Sequence, residues 1–235
     1  MQVWDLSPGY LNDEELLTQR HWVISLLANR GKPEGDGAAQ ARHWSHCLNA
    51  LRCVEAWINA ECRLRELAVS MDAQSTQLAP LNLVWPKLMA PGAQLVELAN
   101  VADRAPGRIP LPQTTKGLWT HHKYSVAARS MDAYRAISVK VATGKGRDNF
   151  DWVAAEVMGQ LRVRPSRESL RDALMQMWGY VAAAGAVQSR LFDDFPALFA
   201  EIQKRTSVQA NHYLLTSTAL SELSVWLEGP GGAEF

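Results

Sequence analysis

Apolar residues recur at intervals of three and four along most of this chain, and no stretch sustains a period-two alternation of apolar and polar residues. That spacing matches the turn of an α-helix and leaves no strand whose alternate side chains would line a core. Trp44, Leu48, Leu51, Val54, Ile58 and Cys62 form one stripe, inside a helix predicted from Ala38 to about Met71. Leu170, Leu174, Met177 and Val181 form another, inside a helix predicted over 167–185 with Ser166 as N-cap and Glu168 in its first turn. Further helices are predicted at about 13–29, 93–101, 115–129, 131–142, 148–161, 194–204 and 207–227. Asn12 or Asp13 caps the first of these, with Glu14 and Glu15 placed to meet its positive end. The fold class expected is all-α, and His212 with Asn211 reads as a satisfied buried pair on the last helix.

Proline sets the expected organisation. Pro80, Pro86, Pro91, Pro106, Pro110 and Pro112 crowd one region, which predicts a connector over 76–113 between a helical lobe at 1–75 and a second at 114–228. The glycine-rich 229–235 is expected to be a disordered tail. A chain of 235 residues with 47% hydrophobic content can give each lobe its own core. No signal peptide and no apolar run near the ~20 residues of a membrane span are visible, so a soluble cytoplasmic protein without a membrane partner is expected. Cys47, Cys53 and Cys62 are odd in number and fit no CxxC pattern, which predicts reduced core thiols. His43, His46 and Cys47 have helical ligand spacing but lack a fourth ligand and sit on an apolar stripe, so no metal is expected. No Gly-rich phosphate loop is present, and no cofactor is expected.

Charge carries the functional signal. The 24 basic and 24 acidic residues cancel overall, yet thirteen cations face only five carboxylates between Arg104 and Arg171, a local excess of +8. Aromatic residues are interleaved with these cations, a combination suited to neutralising phosphates and stacking on bases. The candidate nucleic-acid ligands are Lys116, Trp119, Lys123, Arg129, Tyr134, Arg135, Arg162, Arg164, Arg167 and Arg171. Lys116, Thr120, Lys123 and Ala127 fall on one helical stripe. Arg167 and Arg171 sit at a helix start, where cations oppose the macrodipole unless an anion compensates. Asp172, Gln176 and Gly179 form a polar stripe that could approach a base edge or another helix closely. The competing reading of the whole basic region is a solvated surface facing an acidic lobe.

Two family resemblances bear on the same question. The run His121-His122-Lys123-Tyr124 through Tyr134-Arg135, with Arg164-Pro165-Ser166 and the helix ending in Gly179-Tyr180, resembles the YbgA-like domain of unknown function. The likeness covers about 115–182 and, more weakly, extends to 228. It implies a role beside enzymes that act on thiolated uridine in RNA. Asp172 and Gln176 stand where that family tends to have Asn and His.

The first 75 residues, with Met1, Val3, Trp4, Asp5, Leu6 and Pro8 at the opening, Leu16-Leu17 on the first helix and Trp44 to Leu51 later, resemble the pyrimidine-dimer DNA glycosylase called endonuclease V. That resemblance implies a nucleophilic N-terminal amine, whose pKa of about 8 keeps much of it unprotonated near neutrality. Trp22 occupies the position expected for the assisting glutamate, and Gln2 is too large for the usual removal of the initiator methionine. Met1 and His21 are the catalytic candidates on this resemblance. Separately, the adjacent His121 and His122 point to different helix faces, so one is expected to pack and the other to titrate near a phosphate or transfer a proton, which adds His121 to the catalytic candidates.

The leading expectation is a nucleic-acid-binding protein, its partner RNA or DNA, with a homodimer left open. The alternatives are an active glycosylase and lyase using Met1 with Glu14, Glu15 or His21, and a small-molecule enzyme holding an anionic substrate between the lobes.

Overall fold

The computed structural model describes residues 3–29, 42–69, 84–182 and 189–227. Among them there is helix, turn and extended backbone but no strand, so the fold is all-α. The chain forms two compact units, Met1–Leu111 and Pro112–Phe235.

In the first unit α1 (Asp13–Ala28) packs on α2 (Leu48–Leu64). Asn12 starts α1 through a capping box: its side chain accepts from Glu15 N at 2.9 Å, and the Glu15 carboxylate accepts from Asn12 N at 2.9 Å. Leu16, Gln19, Val23 and Leu26 form the buried face of α1. They meet a face of α2 that includes Leu51, Val54, Ile58 and Cys62, the stripe read from sequence. The helix predicted from Ala38 does not run through, because the backbone bends at Ser45–Cys47 and α2 begins at Leu48. Cys47, Cys53 and Cys62 are buried thiols.

The expected connector is, from Val84 to Leu111, built into this first unit. A third helix, α3 (Pro91–Ala99), begins with proline at a position that needs no N–H donor. Its Gln94 side chain accepts from Asp5 N at 2.9 Å and donates to Met89 O at 2.7 Å. Gln19 does the same for Trp4, accepting from its N–H at 3.0 Å and donating to its carbonyl at 3.1 Å. Two buried amides thus satisfy the extended N-terminal segment, which has no neighbouring strand to bond. Farther on, Ile109 N donates to Gly9 O at 2.9 Å. A Cβ at Gly107 would stand 2.5 Å from the carbonyl oxygens of Tyr10 and Leu11, so only glycine allows this closure.

The second unit is arranged around α4 (Thr115–Ala127), which packs against α5 (Met131–Thr143), α6 (Phe150–Leu161) and α7 (Arg167–Val181). Leu118, Trp119, His121, His122, Tyr124, Ser125, Val126 and Ala127 are all buried, so α4 is covered on nearly every side. Ser166 caps α7 as predicted, accepting from Ser169 N at 3.1 Å. After α8 (Phe195–Val208) the chain turns at Ala210, which has φ 48°. The continuous helix predicted over 207–227 is replaced by three single turns, α9 (His212–Leu215), α10 (Ala219–Glu222) and α11 (Ser224–Leu227). Ser and Thr side chains compete there for backbone partners: Thr218 Oγ1 donates to His121 O at 3.0 Å, and Ser217 Oγ accepts from Ala219 N at 3.2 Å. His212 is exposed, contrary to the buried pair expected. Asn211 caps α9 and donates to Tyr180 O at 3.0 Å. Met1 and the tail expected at 229–235 lie outside the described residues.

Candidate functional site

The predicted basic surface is divided by the fold. Arg129 lies in the core of the second unit, with its side chain 0% exposed. Its guanidinium donates to both Glu222 oxygens, to Ser125 O at 2.9 Å and to Val163 O at 2.8 Å. Trp226 lies under it, with the ring centre 5.7 Å from Cζ, and donates Nε1–H to Glu222 at 2.8 Å. A guanidinium so enclosed cannot reach a phosphate, and Arg129 is withdrawn from the candidate ligands. Trp119 is 7% exposed and packs on Tyr134 at 5.2 Å, so it offers no open face to a base. The stripe Lys116, Thr120, Lys123 and Ala127 runs from surface to interior: Lys116 is exposed, Thr120 and Lys123 are half-buried and Ala127 is buried. Arg135 is exposed and bonds Asp132 at 3.3 Å, while Arg171 stands 3.7 Å from Asp172. Gly179 has open space where a Cβ would be, so it marks no close approach of another backbone.

A different group of cations is gathered at one end of the second unit. Thr115 N donates to Gly146 O at 2.8 Å and Thr115 Oγ1 to Asp148 O at 2.8 Å, which ties the start of α4 to the bend 144–149 between α5 and α6. The tie brings exposed Lys116 close to exposed Lys145 and Arg147, with Lys140 on the last turn of α5. Among the described residues none of these four makes an ion pair. Lys140 Nζ lies 5.8 Å from the ring centre of Trp152, which is 40% exposed, and Arg147 covers Phe150 at 3.7 Å. Asp148 and Asp151 are the exposed carboxylates nearby in sequence, and Asp148 accepts from Lys145 N at 3.1 Å. Sequence reading counted Lys140, Lys145, Arg147 and Trp152 in the charged and aromatic run but named none as a ligand. Arg162 and Arg164 follow the other end of α6, whose 12 residues span ~18 Å. Arg167, at the start of α7, lies over Phe195 at 5.1 Å.

Lys123 has surroundings of another kind. Its Nζ donates to Tyr213 Oη and lies 4.4 Å from the ring centre of Tyr213, 4.8 Å from Tyr124 and 5.9 Å from Tyr180. Tyr180 and Tyr213 stack at 4.9 Å, and Tyr180 is 47% exposed. Ring faces attract an ammonium by about 0.5–2 kcal/mol. Removing it from water costs several kcal/mol unless a carboxylate compensates. Among the described residues no carboxylate pairs with Lys123, and burial holds its pKa below the ordinary lysine value.

The two adjacent histidines were expected to divide, one packed and one titrating, but both are buried. Thr218 donates its N–H to His121 O at 2.8 Å, and its Oγ1 lies 3.3 Å from His122 Nδ1. Burial, and then the charge of neighbouring His121, lowers His122 to about 3. His122 is therefore a neutral core residue near neutrality, and His121 is packed where a ligand phosphate does not reach.

In the first unit His21 is exposed on α1, and Arg20 Nε donates to buried Asn59 at 2.8 Å. Glu15, a proposed stand-in carboxylate, is occupied by Arg104 at 2.6 Å and by the α1 cap, whereas Glu14 is exposed. Glu61 is fully buried between Arg65 at 2.9 Å and Arg108 at 2.7 Å, and Arg65 also donates to the carbonyls of Pro8, Gly9 and Leu11. A groove of about 830 Å³ runs along Asn12–Glu15 and Val101–Arg108. Its arginines are held by carboxylates of the same unit.

Among the described residues no three His, Cys, Asp or Glu side chains gather as a metal-ligand set, and no helix is long and apolar enough to cross a membrane. The fold and its clusters define an all-α protein of two compact units, the second carrying an exposed cationic bend and a tyrosine-ringed lysine. No protein-family model, curated protein or solved structure matches the chain.

Proposed function

We propose that this chain binds single-stranded nucleic acid through the bend 144–149 and the start of α4. The observation that carries the reading is the group Lys116, Lys140, Lys145 and Arg147, unpaired among the described residues, beside an exposed Trp152. Unpaired surface cations release counterions when they meet phosphates, and an exposed indole can stack on a base that has left its helix. That second requirement favours an unpaired strand over a duplex. The YbgA-like and glycosylase-like resemblances support the same class of partner, in RNA modification or DNA repair.

Fluorescence anisotropy with a labelled single-stranded oligonucleotide, tRNA and a lesion-containing duplex at ~50 mM salt tests the reading. The single strand is expected to bind tightest. A Lys116→Ala/Lys145→Ala/Arg147→Ala variant is expected to lose at least ~10-fold in affinity and to flatten the salt slope by about two, since each phosphate contact to a single strand contributes about 0.7. Equal binding by this variant and the wild type refutes the proposal.

A further inference from the structure

We infer that Lys123 is a reactive amine that condenses with an aldehyde carbonyl held beside a planar ring, forming an imine within the cluster of Tyr124, Tyr180 and Tyr213. The geometry supplies three requirements of that chemistry. Nζ is fixed by its hydrogen bond to Tyr213 Oη on α9 and by the three rings. The cluster opens to solvent at Tyr180, which is 47% exposed and whose ring centre lies 5.9 Å from Nζ. Among the described residues no carboxylate pairs with the amine and keeps it charged. Burial lowers the Lys123 pKa, which raises the share of neutral amine available for attack.

In the reaction the Nζ lone pair forms a bond to the carbonyl carbon, and the C=O π pair moves to oxygen. Nζ loses a proton and the oxygen gains one, giving a carbinolamine. Loss of water then yields the imine, so amine and carbonyl give imine and water with no oxidant or reductant. Tyr213 Oη, bonded to Nζ, is placed to relay the proton. Two sources share this carbonyl chemistry: a free aromatic aldehyde, and the ring-opened sugar of an abasic site, where the neighbouring base supplies the planar ring.

Reductive trapping with cyanoborohydride, followed by peptide mass spectrometry on the intact wild-type chain, tests the assignment with benzaldehyde in one arm and a single-stranded oligonucleotide bearing one abasic site in the other. The expected result is an adduct at Lys123 in at least one arm, formed several-fold faster than at exposed Lys116, Lys140 or Lys145. Preference for benzaldehyde identifies a small-molecule carbonyl, and preference for the abasic strand identifies a nucleic-acid aldehyde. Modification spread evenly over the lysines, or no adduct in either arm, overturns the inference. Tyr213→Phe, checked for folding by circular dichroism, is expected to keep the site of the adduct and slow its formation; an unchanged rate removes Tyr213 from the proton relay. The benzaldehyde arm does not depend on the cationic bend, so failure here and failure of nucleic-acid binding are separate results.

Discussion

Arginine has opposite fates in the two units. In the first, Arg65 and Arg108 enclose Glu61 and Arg104 holds Glu15, so the cations of the 104–108 segment staple turns to helices and present little free charge. In the second, Arg129 is used in this way, on Glu222, while Lys116, Lys140, Lys145 and Arg147 are left without an ion pair among the described residues. The difference teaches that a run of positive charge in sequence is not a positive surface. Whether a cation is available to a ligand depends on which carboxylate the fold places against it, and Glu61 and Glu222 lie far in sequence from the arginines 108 and 129 that they hold.

The sharpest way to break the comparison is to remove a buried partner. Arg129→Ala should destabilise the second unit by about 3–5 kcal/mol, because Glu222 is left as an uncompensated buried charge, and Glu61→Gln should cost the first unit a similar amount. Urea denaturation measures both. An Arg129→Met/Glu222→Leu pair that is as damaging as Arg129→Ala would show that packing rather than charge sets the cost.

Acid titration comes next. His122 is held neutral in the folded state with a pKa lowered to about 3, against an ordinary value of 6.5. Between those values the unfolded chain binds a proton that the folded chain refuses. Stability should therefore fall by about 1.4 kcal/mol per pH unit as pH drops below 6.5 and stop falling from this source below about 3. His122→Gln should flatten that slope in urea midpoints measured across the window; an unchanged slope would place the acid sensitivity elsewhere.

Smaller effects sharpen the surface half of the comparison. Trp152→Ala should weaken single-strand binding by about 1–3 kcal/mol while leaving duplex binding nearly unchanged, read by anisotropy. Arg135→Ala removes an exposed pair with Asp132 and should leave the thermal midpoint unchanged within error. A clear loss of stability from Arg135→Ala would mean that surface pairs matter more in this unit than their exposure suggests.

Local signals were legible wherever one turn of chain decides the outcome. The Asn12 and Ser166 caps and the α2 and α7 stripes all follow from interactions within a few residues. From Val84 to Leu111 the predicted connector packs within the first unit; proline density marks irregular backbone without saying whether it packs. Gln94 and Ile109 bind the N-terminal segment 89 and 100 positions away, and no local pattern carries that. The last predicted helix broke for a related reason: Thr218 and Ser217 find partners on α4 and in their own turn that compete with a continuous ladder.

The candidate site divides in the same way. That the middle of the chain holds surplus cations and aromatic rings was set by the sequence alone, as were helix content and most helix starts, because composition and three-to-four spacing are properties of the chain itself. Which cations stay exposed, which histidines are buried and which tyrosines surround Lys123 was decided only by tertiary structure. Burial and ion pairing join residues such as Arg129 and Glu222, or Lys123 and Tyr213, that are about ninety positions apart, and the large energy of desolvating a charge is fixed only once the chain has closed around it.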